Sequence, residues 1–448
     1  MNTVSPLRES IFWSETRAEE STGANRGSRV LHGLLVIPAA VVLAIVLTAF
    51  LNPIQPVTAE RSSGTTPVVL LKLGSAGFAC LVGAWGLICS RRVRGLFLSL
   101  PGLALSSLAL VFLITSMVAF GDSANISRAC ALILISYLAF AATSLTTVGI
   151  RHLVTACLVG QTLFLCAAWC AFLLFPSFGQ FHEYTGAETT VARMGGLAHP
   201  NGIGREAAVL LLLALATFRS TAVSELSRWK GLGLTFVIGL SILTMAMTIS
   251  RTSVLASAAG IAMLFFDRLY SRRGMVLALS GLVLLFGGLI GSAVVSRDSV
   301  TESMAQSLTK SGDVKELTSL TGRTRIWAEA IEWISQRPLT GYGLDSAASV
   351  MSKESVGTHN LFLHVTFSGG VFAGLLMLAL FFVTFLLAIK SRDPLARGIA
   401  TFVLVAGLVE DTLFPSFPGT LTLLWMTLLL AINMPQARPV LSSGEAGV

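Results

Sequence analysis

The sequence predicts an all-α polytopic membrane protein, with about twelve transmembrane helices and a long outer loop that carries short amphipathic helices. Three observations predict it. The 448 residues are 54% hydrophobic and only 12% charged, about half the charge of an average soluble domain, and the mean hydropathy is +0.78. Apolar runs close to the length of about 20 residues needed to cross a bilayer recur along the chain. Lys and Arg gather in alternate connections between those runs. This balance excludes a soluble globular enzyme, a disordered chain and a fibrous repeat.

The elements follow in order. Residues 1–30 form a polar tail with Arg8, Arg17, Arg26 and Arg29. Nine apolar runs fill 31–295, at 31–52, 67–90, 95–119, 128–147, 152–176, 203–218, 231–249, 252–268 and 274–295. The first has no small-residue cleavage site after it and reads as a retained anchor. A polar loop covers 296–358, three further spans occupy 359–389, 394–412 and 417–434, and a tail covers 435–448. With the N-terminus in the cytoplasm, the inner connections hold Arg91, Arg92, Arg94, Arg151, Arg219, Arg228, Lys230, Arg268, Arg272, Arg273, Lys390, Arg392 and Arg397, and the last tail holds Arg438. The short outer loops hold only Arg61, Arg128 and Arg251. The bias of basic residues to the inner side therefore places both termini in the cytoplasm and the loops 177–202 and 296–358 outside.

The net charge of +8 does not signal nucleic acid, because the basic residues are scattered in small groups and never form a stripe. Cys80, Cys89, Cys130, Cys157, Cys166 and Cys170 lie in or at the ends of apolar runs and read as small core residues. Cys166 and Cys170 share a helix face, but no His or acid joins them, so no metal site is expected there. No Asp-x-Asp pair and no Gly-x-x-x-x-Gly-Lys loop occurs, which counts against a metal-dependent nucleotide-sugar transferase and against ATP use. No cofactor is implied.

A stretch of 60 or so residues is too long for a mere connector. Within it, residues 321–338 read as a short amphipathic helix on the outer surface of the bundle, capped by Thr321 or Thr324 and stopped by Pro338. At about 100° per residue, Arg323, Trp327, Ala330, Ile331 and Ile334 share one face, with Arg325, Glu329 and Glu332 opposite. Arg325 pairs with Glu329 on the wet face, an interaction worth little. Arg323 lies on the apolar, membrane-facing side at the helix N-terminus, where a cation is unfavourable unless an anion neutralises both. That predicts a phosphate near Arg323; the alternative is an arginine that snorkels to lipid headgroups.

Arg251 stands between two apolar runs with almost no loop, flanked by Ser250, Thr252 and Ser253. It is either an interfacial anchor or faces a polar cavity in the bundle, and the small residues Ala256, Ala258, Ala259 and Gly260 favour burial toward protein. His359 opens the tenth span at the outer edge, and its imidazole can transfer protons near neutral pH; the alternative is an interfacial histidine. His364 points to another face and reads as packing. His199 and Arg205, in the turn-rich stretch 193–205, either touch a ligand or shape the turn. Glu410 and Asp411 are outer-edge acids or sugar contacts, and Lys72 is a packing or snorkelling residue.

These segments resemble a known family. Gly-x-x-x-His-Pro-Asn (195–201), Ser-Arg-Thr-Ser (250–253), Gly-Arg-Thr-Arg-Ile-Trp (322–327), Pro-Leu-Thr-Gly-Tyr-Gly (338–343) and Thr-His-Asn-Leu (358–361) are similar to motifs of the O-antigen ligase and polysaccharide polymerase family of bacterial inner membranes. The similarity is densest over 190–375. The resemblance implies a metal-independent GT-C-type glycosyltransferase. It would take a glycan from undecaprenyl pyrophosphate on the periplasmic side and pass it to lipid A–core, in ligases, or to another lipid-linked repeat unit, in polymerases. It further implies that Arg251 and Arg323 hold the pyrophosphate and that His359 is the catalytic base, with His199, Arg205 and Asn360 as secondary site residues. The competing classes are a lipid-linked oligosaccharide flippase or transporter, and a structural partner in a polysaccharide assembly complex. A flippase would usually carry midplane charges or repeated halves; here no internal repeat is visible and most charge lies at the outer edge.

Overall fold

A computed structural model describes residues 28–55, 67–119, 124–184, 190–221, 227–265, 323–351, 357–391 and 393–432. The expected span 274–295, the part of the long loop up to Gly322 and nearly all of both tails lie outside these residues. Helices α1 (Ser28–Leu51), α2 (Pro67–Cys89), α3 (Arg91–Phe97), α4 (Leu100–Met117), α5 (Ala124–Thr147), α6 (Gly149–Leu174) and α7 (Pro176–Gly179) lead into a two-stranded antiparallel hairpin, β1 (Gln180–Tyr184) and β2 (Thr190–Met194). Then come α8 (Pro200–Ser220), α9 (Arg228–Thr248), α10 (Arg251–Phe265), α11 (Arg323–Gln336), α12 (Ala347–Val350), α13 (Leu361–Lys390), α14 (Pro394–Gly407) and α15 (Thr420–Ala431).

Seven of these helices, α2, α4, α5, α6, α8, α9 and α13, are long and apolar enough to cross a membrane. Four more apolar segments are shorter: Ile37–Leu51 of α1, α10, α14 and α15. The outward faces are those of a lipid-facing bundle, with Leu70, Leu71, Leu81 and Ile88 of α2 and Trp229, Phe236 and Ile242 of α9 exposed. In water such faces would be aggregation sites; in hydrocarbon they cost nothing. Inside, α8 is buried almost all round from Ile203 to Leu213. Some polar groups in the core find one another: Asn52 Nδ2 donates to Tyr137 Oη at 2.7 Å, Trp169 Nε1 to Thr244 Oγ1 at 2.9 Å, and Trp425 Nε1 to Thr384 Oγ1 at 2.9 Å.

Two expected elements are corrected. The single span 95–119 is two helices, because Ser99 accepts a hydrogen bond from Gly102 N (3.2 Å) and donates to Leu96 O (2.6 Å), closing α3 and capping α4. The stretch 177–202, expected as a loop, holds the hairpin, whose register runs from Gln180↔Met194 to Tyr184↔Thr190. Its alternation is too short to register as a strand signal.

The chain crosses back and forth so that one end of the bundle collects the termini that matter. Gln55 N donates to Leu197 O at 2.6 Å, Asn52 Nδ2 to Pro418 O at 2.6 Å, and Leu344 N to Ser116 Oγ at 3.4 Å. The hairpin, the α9–α10 turn, α11 and the 408–419 segment all lie at this end. At the opposite end Arg219 donates to Leu264 O.

Residues 337–346 dock into a break in α13. Tyr342 N and Gly343 N donate to Phe367 O and Ser368 O, both at 2.9 Å, and Val371 N returns a bond to Pro338 O at 2.7 Å. The break is at Gly370, φ +73° and ψ −174°, a backbone region essentially reserved for glycine.

Candidate functional site

The site is built on helix ends and the turns beside them. Asn360 caps α13, accepting from Phe362 N (2.9 Å) and Leu363 N (3.1 Å), while its amide donates to Leu408 O at 2.8 Å. That cap ties the start of α13 to the end of α14. Just before it, His359 takes a left-handed backbone conformation, φ +48°, uncommon for a non-glycine residue. Thr358 Oγ1, bonded to Asn360 O at 3.0 Å, and Trp327 Nε1, donating to His359 O at 3.3 Å, hold that turn. Trp327 is on α11, so that helix clamps the histidine's backbone.

The turn aims the imidazole at two acids. His359 Nδ1 lies 3.3 Å from Glu410 Oε2 and 4.0 Å from Asp411 Oδ1. The other oxygen of Glu410 takes two more groups, the Arg323 guanidinium and Asn201 Nδ2 at 3.3 Å. Asn201 in turn accepts from Arg193 Nη2 at 2.9 Å, and Arg193 Nε donates to Thr248 O at 2.8 Å. Arg193 is 2% exposed. A single network thus runs from the hairpin through α8 to the acids after α14, and on to α11 and the start of α13.

The hydrogen bond that His359 makes to Glu410 raises the His359 pKa above its usual 6.5; burial opposes this, as does Arg323, while the Asp411 charge reinforces it. Burial would raise the Glu410 pKa, yet the His359 bond and the Arg323 charge outweigh it and hold the carboxyl below the usual carboxylate value. His359, Glu410 and Asp411 place ligating atoms within 4.8 Å of one another. An ion there would compete with Arg323 for Glu410.

The sequence expectations fare unevenly against this geometry. Arg323 and His359 come together, with Glu410 between them. Arg323 does not face lipid: it turns into the bundle and pairs with Glu410. The helix face is corrected accordingly. Ala330 is fully buried, with Ile326, Trp333 and Ile334 beside it against Tyr342 and Phe367, whereas Ile331 is 56% exposed. The helix starts at Arg323, so Thr324 is inside it and does not cap; Thr321 lies outside the described residues. Arg251 is also corrected: it heads α10 with its side chain exposed, and it is Ser250 and Ser253 that are buried, their hydroxyls 2.8 Å apart. It stands three residues after Thr248, which takes the Arg193 bond. His199 shapes the turn, accepting from Asn201 N at 3.3 Å as the cap of α8 and resting edge-on against Phe181. Arg205 sits 3.7 Å from Glu206, and Lys72 is buried with its ammonium over the Phe417 ring. His364 is buried.

Sequence reasoning underrated Glu410 and passed over Arg193 and Asn201. Asn201 closes the Gly-x-x-x-His-Pro-Asn motif and Arg193 stands two residues before it, so the motif contained the signal; its meaning needed a partner 209 residues away.

Residues 234–379 match the family model described as O-antigen ligase. Through that segment the chain resembles the O-antigen ligase family. Arg251, Arg323 and His359 all fall inside the match; Arg193, Asn201 and Glu410 lie outside it. An O-antigen ligase of Pseudomonas aeruginosa is 32% identical over 133 residues, 28% of this chain and 33% of that protein. The exopolysaccharide production protein ExoQ of Rhizobium meliloti is 26% identical over 321 residues, 64% of this chain and 68% of that protein. The alignment thus spans a third of the first relative's length. With seven helices long and apolar enough to cross a membrane and these similarities, the chain is a multi-pass bacterial membrane protein.

Proposed function

We propose that this protein is a membrane glycosyltransferase that moves a glycan from undecaprenyl pyrophosphate to an acceptor sugar hydroxyl, in the manner of an O-antigen ligase, on the periplasmic face of the inner membrane. The observation that carries the reading is the convergence of His359 and Arg323 on the two oxygens of Glu410, at the bundle end that the basic-residue bias assigns to the outside.

In this mechanism the acceptor oxygen attacks the anomeric carbon, the glycosidic bond forms, and the bond from that carbon to the pyrophosphate oxygen breaks. His359 takes the hydroxyl proton. Glu410 holds Nδ1, which leaves Nε2 to face the hydroxyl, and its charge stabilises the imidazolium as it forms. The leaving pyrophosphate gains negative charge. Arg323 offers five N–H donors, so those not on Glu410 remain for phosphate oxygens, with Arg251 as the second clamp. The donor is already activated, so the step needs neither ATP nor metal.

The test is transfer by the purified full-length protein in vesicles, with a lipid-linked glycan donor and a sugar acceptor. Wild type forms a covalent product and His359→Ala does not. Movement of the donor across the bilayer without transfer supports a flippase and overturns the reading.

A second reading, a polysaccharide polymerase with the same chemistry, is favoured by the alignment to ExoQ along 64% of the chain. Surface glycans of a deletion strain separate the two. Long chains left on carrier lipid support the ligase, and loss of long chains supports the polymerase.

A further inference from the structure

A buried cation stands behind the carboxylate that faces His359. Arg193, on β2 and 2% exposed, donates from Nε to Thr248 O (2.8 Å) and from Nη2 to Asn201 Oδ1 (2.9 Å). Thr248 closes α9, so its carbonyl is one that a helix end leaves without a partner, at the negative end of the helix dipole. Gly204, three residues beyond Asn201 on α8, lies against the same turn. A Cβ there would come within 2.8 Å of Thr248 Oγ1 and 2.7 Å of the Ser250 Cβ. Asn201 is thereby held between two fixed elements, the end of α9 and the acids after α14.

The hydrogen bonds of this chain can run in one direction only. A guanidinium donates and never accepts. The Asn201 atom facing Arg193 is therefore the oxygen, and the amide nitrogen faces Glu410 Oε1, 3.3 Å away. Arg323 donates to that same oxygen. An ionised carboxylate only accepts, so Oε2 takes the hydrogen of His359 Nδ1 at 3.3 Å. Asp411 Oδ1, at 4.0 Å, is too far from that nitrogen to compete for it. In a neutral imidazole with its hydrogen on Nδ1, Nε2 is a bare acceptor.

We propose that Arg193 and Asn201 are positioning residues for the transfer: they fix a one-way chain of hydrogen bonds through Glu410 that keeps a proton on His359 Nδ1 and a lone pair on Nε2. The proton of the acceptor hydroxyl then has one place to go, Nε2, and the imidazolium that forms stays bonded to Glu410. Neither residue needs to touch donor or acceptor. This rests on the glycosyltransferase reading.

The test is a double-mutant cycle on the acid limb of kcat/KM, with the full-length protein in vesicles. Asn201→Leu should lower kcat about tenfold, the loss of one hydrogen bond to a charged group. It should also move the acid limb to lower pH, because a loosened Glu410 no longer holds up the His359 pKa. The donor KM should stay within about twofold of wild type. With Glu410→Gln already in place, Asn201→Leu should shift the limb no further. Arg193→Lys keeps the charge but not the fork that serves two oxygens, and should behave as Asn201→Leu does. An equal shift in both backgrounds, a rise in donor KM, or wild-type activity in either single variant overturns the proposal. Nitrogen NMR of histidine-labelled protein, at a pH where the ring is neutral and with His359→Gln to assign the signal, separates the two levels. In a protein that transfers nothing, a His359 protonated at Nδ1 in wild type but mixed between tautomers in Asn201→Leu keeps the chain and sinks the reaction. The same tautomer in both sinks the chain, whatever the transfer assay shows.

Discussion

His359 is held in its uncommon backbone conformation by contacts from three segments, and its imidazole meets a carboxylate that an arginine already engages. A base so placed has a defined pH signature. Its pKa lies above 6.5, so the proton acceptor is present only as pH rises past that raised value, and kcat/KM should climb through it. Glu410→Gln removes the main cause of the increase. The acid limb of the pH–rate profile should then move to lower pH, while the maximal rate falls because the imidazolium loses its counter-charge; a limb that stays in place shows that Glu410 does not govern the base. His359→Ala should cost about 10²–10⁴ in kcat, the range for a lost general base, with donor binding retained in a direct assay. Arg323 lowers the His359 pKa, so Arg323→Ala should raise the donor KM at least about tenfold and shift the acid limb upward. Arg325→Ala, on the exposed side of α11, should leave both within about twofold. Equal loss at the two arginines would show that α11 is misoriented. At this scale the sequence marked Arg323 and His359 through residue type and position at an apolar edge. It left Glu410, with Asp411, open between an edge acid and a sugar contact, because a carboxylate becomes special only through what it faces.

Elements decide how those side chains are aimed. The 3.6-residue period of 323–336 did predict an amphipathic helix, and Pro338 its stop. The period left the exact stripe open by one residue step: the buried side passes through Ile326, Ala330 and Trp333, and Ile331 is out. What turns the helix is the 337–346 segment plugged into the α13 break. Gly370 is the hinge of that arrangement. A Cβ there would sit 2.3 Å from Leu339 O in a backbone region that side chains avoid. Gly370→Ala should therefore destabilise the protein by at least about 1–3 kcal/mol, read as a lower melting temperature in detergent. It should also loosen the Trp327 clamp on His359. No drop in melting temperature would mean that the docked segment is not integral to the fold. Neither Gly370 nor the Ser99 cap stands out in the sequence, where both positions sit inside continuous apolar runs.

The whole bundle gathers the hairpin, the α9–α10 turn, α11 and the acids after α14 at one end, with Arg91, Arg151 and Arg219 at the other. Single cysteines, introduced after the native ones are replaced, test this sidedness. Glu332→Cys should react with a membrane-impermeant maleimide added from outside, and Arg91→Cys only after permeabilisation; the reverse pattern would put the site in the cytoplasm. Composition, run length and the alternation of basic connections by themselves determined that the chain is a multi-span helical membrane protein. These are properties each segment carries alone, because a bilayer judges every span by its own hydropathy. Tertiary structure decided that Asn201, Arg323 and His359 meet at Glu410, with Arg193 behind Asn201. Those encounters join residues up to hundreds of positions apart, and their energy lies in burial and geometry that no local pattern encodes.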